Sequence, residues 1–135
     1  MEISIRYGTI GARDTEVEPV RAIYDAFARR DVEAALAHIA EDVVFNAEGT
    51  AKLAGRTTPY RGHDGVREYF ADAARVWEDL TLYAEDIRAI AGSVVVFGRV
   101  VGTVGGKPFR SRVIWSWKLR DGKAASMRVN TLSDA

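Results

Sequence analysis

Arg99 is the residue whose surroundings most suggest chemistry. It interrupts the apolar run Val94-Val-Val-Phe-Gly-Arg-Val-Val101, and in an extended strand it shares a face with Val95, Phe97 and Val101. If that face turns inward, a guanidinium stands in an apolar enclosure and needs a partner, which a ligand carboxylate or oxygen supplies. The competing reading sets Arg99 at a rim or bulge, or in an ion pair with Glu48 or Glu85. Trp115 and Trp117 lie two apart and offer flat apolar surface with one N–H each, suited to orienting an aromatic or terpenoid-like ligand. Trp117 reads as core packing, whereas Trp115 fits a pocket wall or the core. With Phe97, Trp115 forms the apolar wall of the candidate ligand site.

The remaining candidates are single polar side chains. Asn46 supplies a donor and an acceptor, although Val43, Phe45 and Ala47 form an apolar set that leaves it facing outward. His63 precedes a helical pattern, and imidazole suits proton transfer near neutrality; its plainer reading is a solvated first-turn residue. Tyr24 and Tyr60 are possible hydrogen-bond donors at a pocket mouth, or core rings with peripheral hydroxyls. The catalytic candidates are therefore Arg99, His63 and Tyr24, and the ligand-binding candidates Arg99, Trp115, Phe97, Asn46 and Tyr60. The chain has no cysteine and two histidines, so neither a disulfide framework nor a metal centre is expected, and no cofactor is implied.

Val17, Val20, Ile23, Tyr24, Phe27 and Ala28 recur at helical spacing, with Pro19 tolerated in the first turn. Asp31 is placed to cap a second helix carrying Val32, Ala35, Leu36 and Ile39. Asp42 to Ala47 reads as a short strand, and Glu48 to Arg61 as a long connection, a functional lid with room for a small hairpin. Gly62-His63-Asp64 opens a third helix with Val66, Phe70 and Trp77 on one face. Leu80–Ile90, Ser93–Val104, Pro108–Leu119 and Lys123–Leu132 read as strands of an antiparallel meander, separated by Ala91-Gly92, Gly105-Gly106 and Asp121-Gly122. Alternation puts Val113, Trp115, Trp117 and Leu119 on the face towards the helices. The expected architecture is α+β, with residues 1–135 one domain and 1–16 an irregular N-terminal extension.

This order of elements, with Asp31-Val-Glu-Ala-Ala-Leu36, Glu41-Asp42-Val-Val-Phe45, Tyr60-Arg-Gly-His-Asp-Gly-Val-Arg-Glu-Tyr-Phe70 and Leu119-Arg-Asp-Gly-Lys123, resembles the SnoaL-like branch of the NTF2-like superfamily from Val17 to Thr131. The resemblance implies three N-terminal helices packed on a curved antiparallel sheet, a cone with an apolar pocket at its open end, and homodimers through the outer sheet face. It does not imply one reaction. The positions of a ketosteroid isomerase's Tyr, Asp base and protonated Asp fall on Ile23, Ala47 and Trp115. The Arg-x-Asp of an epoxide hydrolase falls on Arg99-Val100-Val101, and its second acid on Val129. The family's acid residues are thus replaced by apolar ones.

The 135 residues carry 19 basic and 19 acidic side chains, a neutral total that disfavours nonspecific nucleic-acid binding. The balance conceals a net −6 over residues 1–90 and +6 over 91–135. The basic residues Arg110, Arg112, Lys118 and Arg128 alternate onto the outer sheet face, where pairing with a second copy is the favoured use. No apolar stretch is long enough to span a bilayer, the opening residues lack a secretory pattern, and the cysteine-free composition suits a cytoplasmic setting. The expected function is binding of a compact apolar molecule bearing an oxygen or carboxylate group, as an isomerase-, cyclase- or hydrolase-type domain without the usual acids. The alternative is a noncatalytic dimeric association or ligand-sensing domain, and the residues leave turnover open.

Overall fold

The computed structural model describes residues 2–10 and 16–132. Along the chain lie β1 (Glu2–Ile10), α1 (Val17–Ala28), α2 (Val32–Leu36), β2 (Ile39–Asn46), α3 (Glu48–Leu53), β3 (Tyr60–Arg61) and α4 (Gly62–Val76). Four long strands follow: β4 (Asp79–Ile90), β5 (Ser93–Val104), β6 (Lys107–Arg120) and β7 (Lys123–Thr131). The seven strands form one curled, unclosed sheet in the order β1-β4-β5-β6-β7-β2-β3. Helices α1 and α4 fill its concave side. None of the described helices is long and apolar enough to cross a membrane.

The expected meander is the wall of this structure. Its three turns carry Ala91-Gly92 at φ 44° and 82°, Gly105-Gly106 at 57° and 76°, and Asp121-Gly122 at 52° and 76°. Positive φ at both central residues gives the turn whose twist matches that of the flanking strands. Val113, Trp115 and Trp117 are buried beneath the helices, as their alternation requires. Val17, Val20, Ile23, Tyr24 and Phe27 bury the inner face of α1, and Asp31 caps α2 by accepting from the Ala34 N–H at 3.1 Å.

Three segments differ from the sequence expectation. The opening is a strand over residues 2–10, paired in parallel with β4 from Glu2↔Asp79 onwards; Met1 and residues 11–15 of the expected extension lie outside the described residues. Ile3, Ile5 and Tyr7 alternate with Ser4 and Arg6, but a parallel partner more than 70 positions away leaves no hairpin signal in the sequence. The 48–61 connection contains α3 and the two-residue β3, which pairs with β2 through Phe45↔Tyr60. Glu48 and Lys52 occupy the first and last turns of α3, where their charges complement the helix dipole. β2 starts at Ile39 rather than Asp42 and runs parallel to β7, with an irregularity between Ile39 and Val44. Parallel strands at two places therefore extend the antiparallel β4–β7 wall.

Candidate functional site

Within the curl, α1, α4 and β6 bring aromatic rings together. Tyr24 meets the edges of Trp115 and Trp117 with centroids 5.7 Å away in each case, and Trp117 Nε1–H donates to the Tyr24 hydroxyl at 3.2 Å. Phe27 stacks on Tyr69 at 5.5 Å, and Phe45 packs edge-on against Trp117 at 5.7 Å. Gly98 of β5 lets this layer close: a Cβ there would collide with the Tyr83 carbonyl oxygen and stand 3.1 Å from the Trp115 ring. Two small adjoining spaces remain, of about 30 Å³ next to α1 and about 60 Å³ next to α3, with Tyr69, Leu82 and Trp115 bordering both.

Hydroxyl-bearing residues border the second space. Thr50 on α3 accepts from Trp77 Nε1–H at 3.2 Å, and Thr50, Tyr69 and Ser111 all border the cavity. Burial pushes the Tyr69 hydroxyl up to about 12, and a hydrogen bond with Thr50 opposes that shift. Burial likewise drives Tyr24 well above the ordinary tyrosine value, against the hydrogen bond from Trp117. Both phenols are thus neutral donors at physiological pH rather than bases. Among the described residues lining the two spaces there is no carboxylate, histidine, lysine or arginine. Ile23, Ala47, Trp115 and Val129, the positions where related enzymes carry their donor or acids, all face this interior with apolar side chains.

Of the sequence candidates, Trp115 and Tyr24 stand in this interior, and the other residues do not converge on it. Arg99 and Phe97 correct the expectation of an inward face. Val94, Val96 and Gly98 are the buried set on β5, while Phe97 is 41% exposed. Arg99 lies on the outer face, its guanidinium 4.2 Å above the Tyr83 ring and Nε 3.4 Å from Glu85 Oε2. The pairing with Glu85 considered from the sequence is the one that forms. Alternation did not choose between faces because residues 94–97 are apolar at both parities.

His63 Nε2–H donates to the Ile39 carbonyl at 2.8 Å, tying the start of α4 to β2. Tyr60 is fully buried and donates to Asp72 Oδ2 at 2.8 Å; burial first, and this carboxylate second, push its hydroxyl upward. Asn46 ends β2 and lines a separate groove outside the aromatic interior. Sequence reasoning missed Thr50, Tyr69, Trp77 and Ser111 as a group. Ser111 had a signal, since it shares parity with Val113, Trp115 and Trp117; Thr50 had none while α3 read as loop.

A curled sheet wrapped on helices around an aromatic interior defines an NTF2-like protein. The SnoaL-like domain model matches residues 20–127, and the chain belongs to that family. Among solved structures, an NTF2-like protein of unknown function from Burkholderia pseudomallei K96243 is 22% identical with a TM-score of 0.79, over 89% of this chain and 92% of the other. TerC, co-crystallised with polyporic acid, is 30% identical with a TM-score of 0.77, over 88% of this chain and 92% of its own. A polyketide cyclase assignment has been made for a protein of Xanthomonas campestris pv. campestris that is 20% identical with a TM-score of 0.67, over 85% of this chain and 88% of the other. A search of curated proteins finds no match.

Proposed function

We propose that this protein binds a compact, largely apolar molecule bearing an oxygen acceptor, held between α3 and the inner face of β6. The observation carrying this reading is that the hydroxyl-bearing residues Thr50, Tyr69, Ser111 and Thr131 border an otherwise aromatic and aliphatic interior. A neutral phenol and a serine hydroxyl are suited to polarise a carbonyl oxygen, the electrostatic part of an isomerase- or cyclase-type role. Membership of the SnoaL-like family supports that role, and the resemblance to TerC, which was co-crystallised with polyporic acid, supports the binding of a small molecule. The interior of about 60 Å³ is smaller than the roughly 300–1,000 Å³ of a drug-sized pocket, so this reading requires the space to widen when a ligand enters. A cytoplasmic setting accords with the cysteine-free sequence.

The test is calorimetric titration with polyporic acid, alongside native mass spectrometry for a molecule that co-purifies. Saturable one-to-one binding is expected, weakened about tenfold by Tyr69→Phe or Ser111→Ala, as loss of one hydrogen bond near 1.4 kcal/mol implies. No binding and no co-purifying molecule would reject the reading.

A second reading, association of two copies through the outer sheet face, is favoured by one patch. Phe97 and Ile90 are 41% and 61% exposed there, with Val95 beside them. Arg99 and Arg112 stand directly opposite each other on β5 and β6, and the Glu85 carboxylate pairs with Arg99. Like charges in cross-strand register repel, so an acid from a second copy would relieve Arg112. Arg112→Glu is expected to shift the solution mass from dimer to monomer; a monomer before and after the change would dispose of this association.

A further inference from the structure

β1 is an edge strand: β4 lies on one side of it, and among the described residues no strand lies on the other. An extended backbone presents alternate N–H and C=O groups to such an edge, where another strand can pair with them. Two devices that blunt an edge are missing, since Glu2–Ile10 holds no proline and its register with β4 runs without a shift. Ile3 and Ile5 pack against the core, while Glu2, Ser4 and Arg6 alternate onto the outer face. The charges are separated along the strand. Glu2 stands beside Asp79 of β4 at one end, and Arg6 stands beside Tyr83, with Arg99 one strand further on. Neither Glu2 nor Arg6 has an ion-pair partner among the described residues.

We propose that β1 pairs antiparallel with β1 of a second copy, about a two-fold axis through Ser4, joining the two sheets edge to edge. The sequence of the strand is complementary to itself in that register: Glu2 of each copy lies opposite Arg6 of the other, and Ile3 lies opposite Ile5. Opposite charges directly across antiparallel strands attract, and the arrangement makes two such pairs. Directly opposed residues share a face, so the axis must pass through a residue. An axis through Ile5 would set Glu2 opposite Gly8 and Arg6 opposite Ser4, leaving both charges unmatched. The axis through Ser4 also brings a guanidinium to the end of the strand where Glu2 and Asp79 lie side by side. Such a pairing is isologous and closes at two copies. It uses the edge of the sheet rather than its outer face and is independent of the aromatic interior.

The test is sedimentation equilibrium of the full chain over a concentration series, in an Arg112→Glu background so that outer-face association does not contribute. The mean mass is expected to rise with concentration from one copy towards two. Arg6→Glu sets acid against acid, and Glu2→Arg sets base against base. Each should weaken the pairing about tenfold, as two attractive pairs become two repulsive ones. An equimolar mixture of the two variants should restore it, because a strand with two bases then opposes a strand with two acids. Thermal melts verify that both variants remain folded. A mass that stays at one copy, a mass that climbs past two, single variants that pair as their parent does, or a mixture that stays apart would each overturn the proposal.

Discussion

Arg99 illustrates how little energy an outward ion pair contributes once solvent reaches both partners. Its side chain and that of Glu85 are 36% and 48% exposed, so screening holds the pair, with the Tyr83 ring contact, to about 1 kcal/mol or less. Arg99→Leu is therefore expected to leave urea stability within about 1 kcal/mol of the parent and ligand affinity unchanged; a large loss of affinity would return the residue to the binding site. Buried tyrosines behave differently. Tyr69 is raised from 10.0 to about 12, and burial is the first cause of upward shifts at Tyr7, Tyr24 and Tyr60 as well. In the folded state these phenols retain their protons at pH values where unfolded ones lose them. The stability they confer is present in full below about pH 10 and falls as pH rises through the folded values. Unfolding free energy measured in urea should decline above pH 10, and less steeply in Tyr69→Phe.

β6 and β5 show why some of the architecture was readable from the amino acids and some was not. In β6 the inward Val113, Trp115 and Trp117 alternate with Arg112, Ser116 and Lys118, so only one register buries the apolar set. In β5 the valines occupy both faces, and the side to which Arg99 points is set by pairing with β4, including the bulge between Ala84 and Asp86. The inward position of Trp115 follows from its strand alone, whereas the outward position of Arg99 requires the partner strand. Gly98 is the other half of that pairing. Gly98→Ala should cost about 1–3 kcal/mol through overpacking against Trp115 and the Tyr83 carbonyl, measured by thermal or chemical denaturation. α3 is not legible in the sequence because six residues, with Gly49 in the first turn, provide too little periodicity. Thr50→Val removes the acceptor of the buried Trp77 N–H, a loss of about 1–3 kcal/mol; faster amide exchange across residues 48–53 would report the loosened helix.

Across the whole molecule, the sheet has a local part and a distant part. β4 to β7 pair with their sequence neighbours through tight turns, while β1 reaches β4 and β2 reaches β7 from far along the chain. β1 is also pinned to α1: the Tyr7 hydroxyl donates to Asp25 Oδ1 at 2.6 Å, and the Arg21 guanidinium lies 5.1 Å above the Tyr7 ring. Removing residues 1–10 should lower the melting temperature and leave the β4 edge open to pairing with other chains, visible as larger species in light scattering. An unchanged melting temperature and size would show that β1 contributes no stability.

The hydrogen bond from Trp117 to Tyr24 spans 93 residues, which sets a timetable for synthesis on the ribosome. At about 5–20 residues per second, Tyr24 is made roughly 5–20 seconds before the tryptophan that closes over it. During that interval the apolar face of α1 has no sheet to cover it, so its burial waits until β6 and β7 are made.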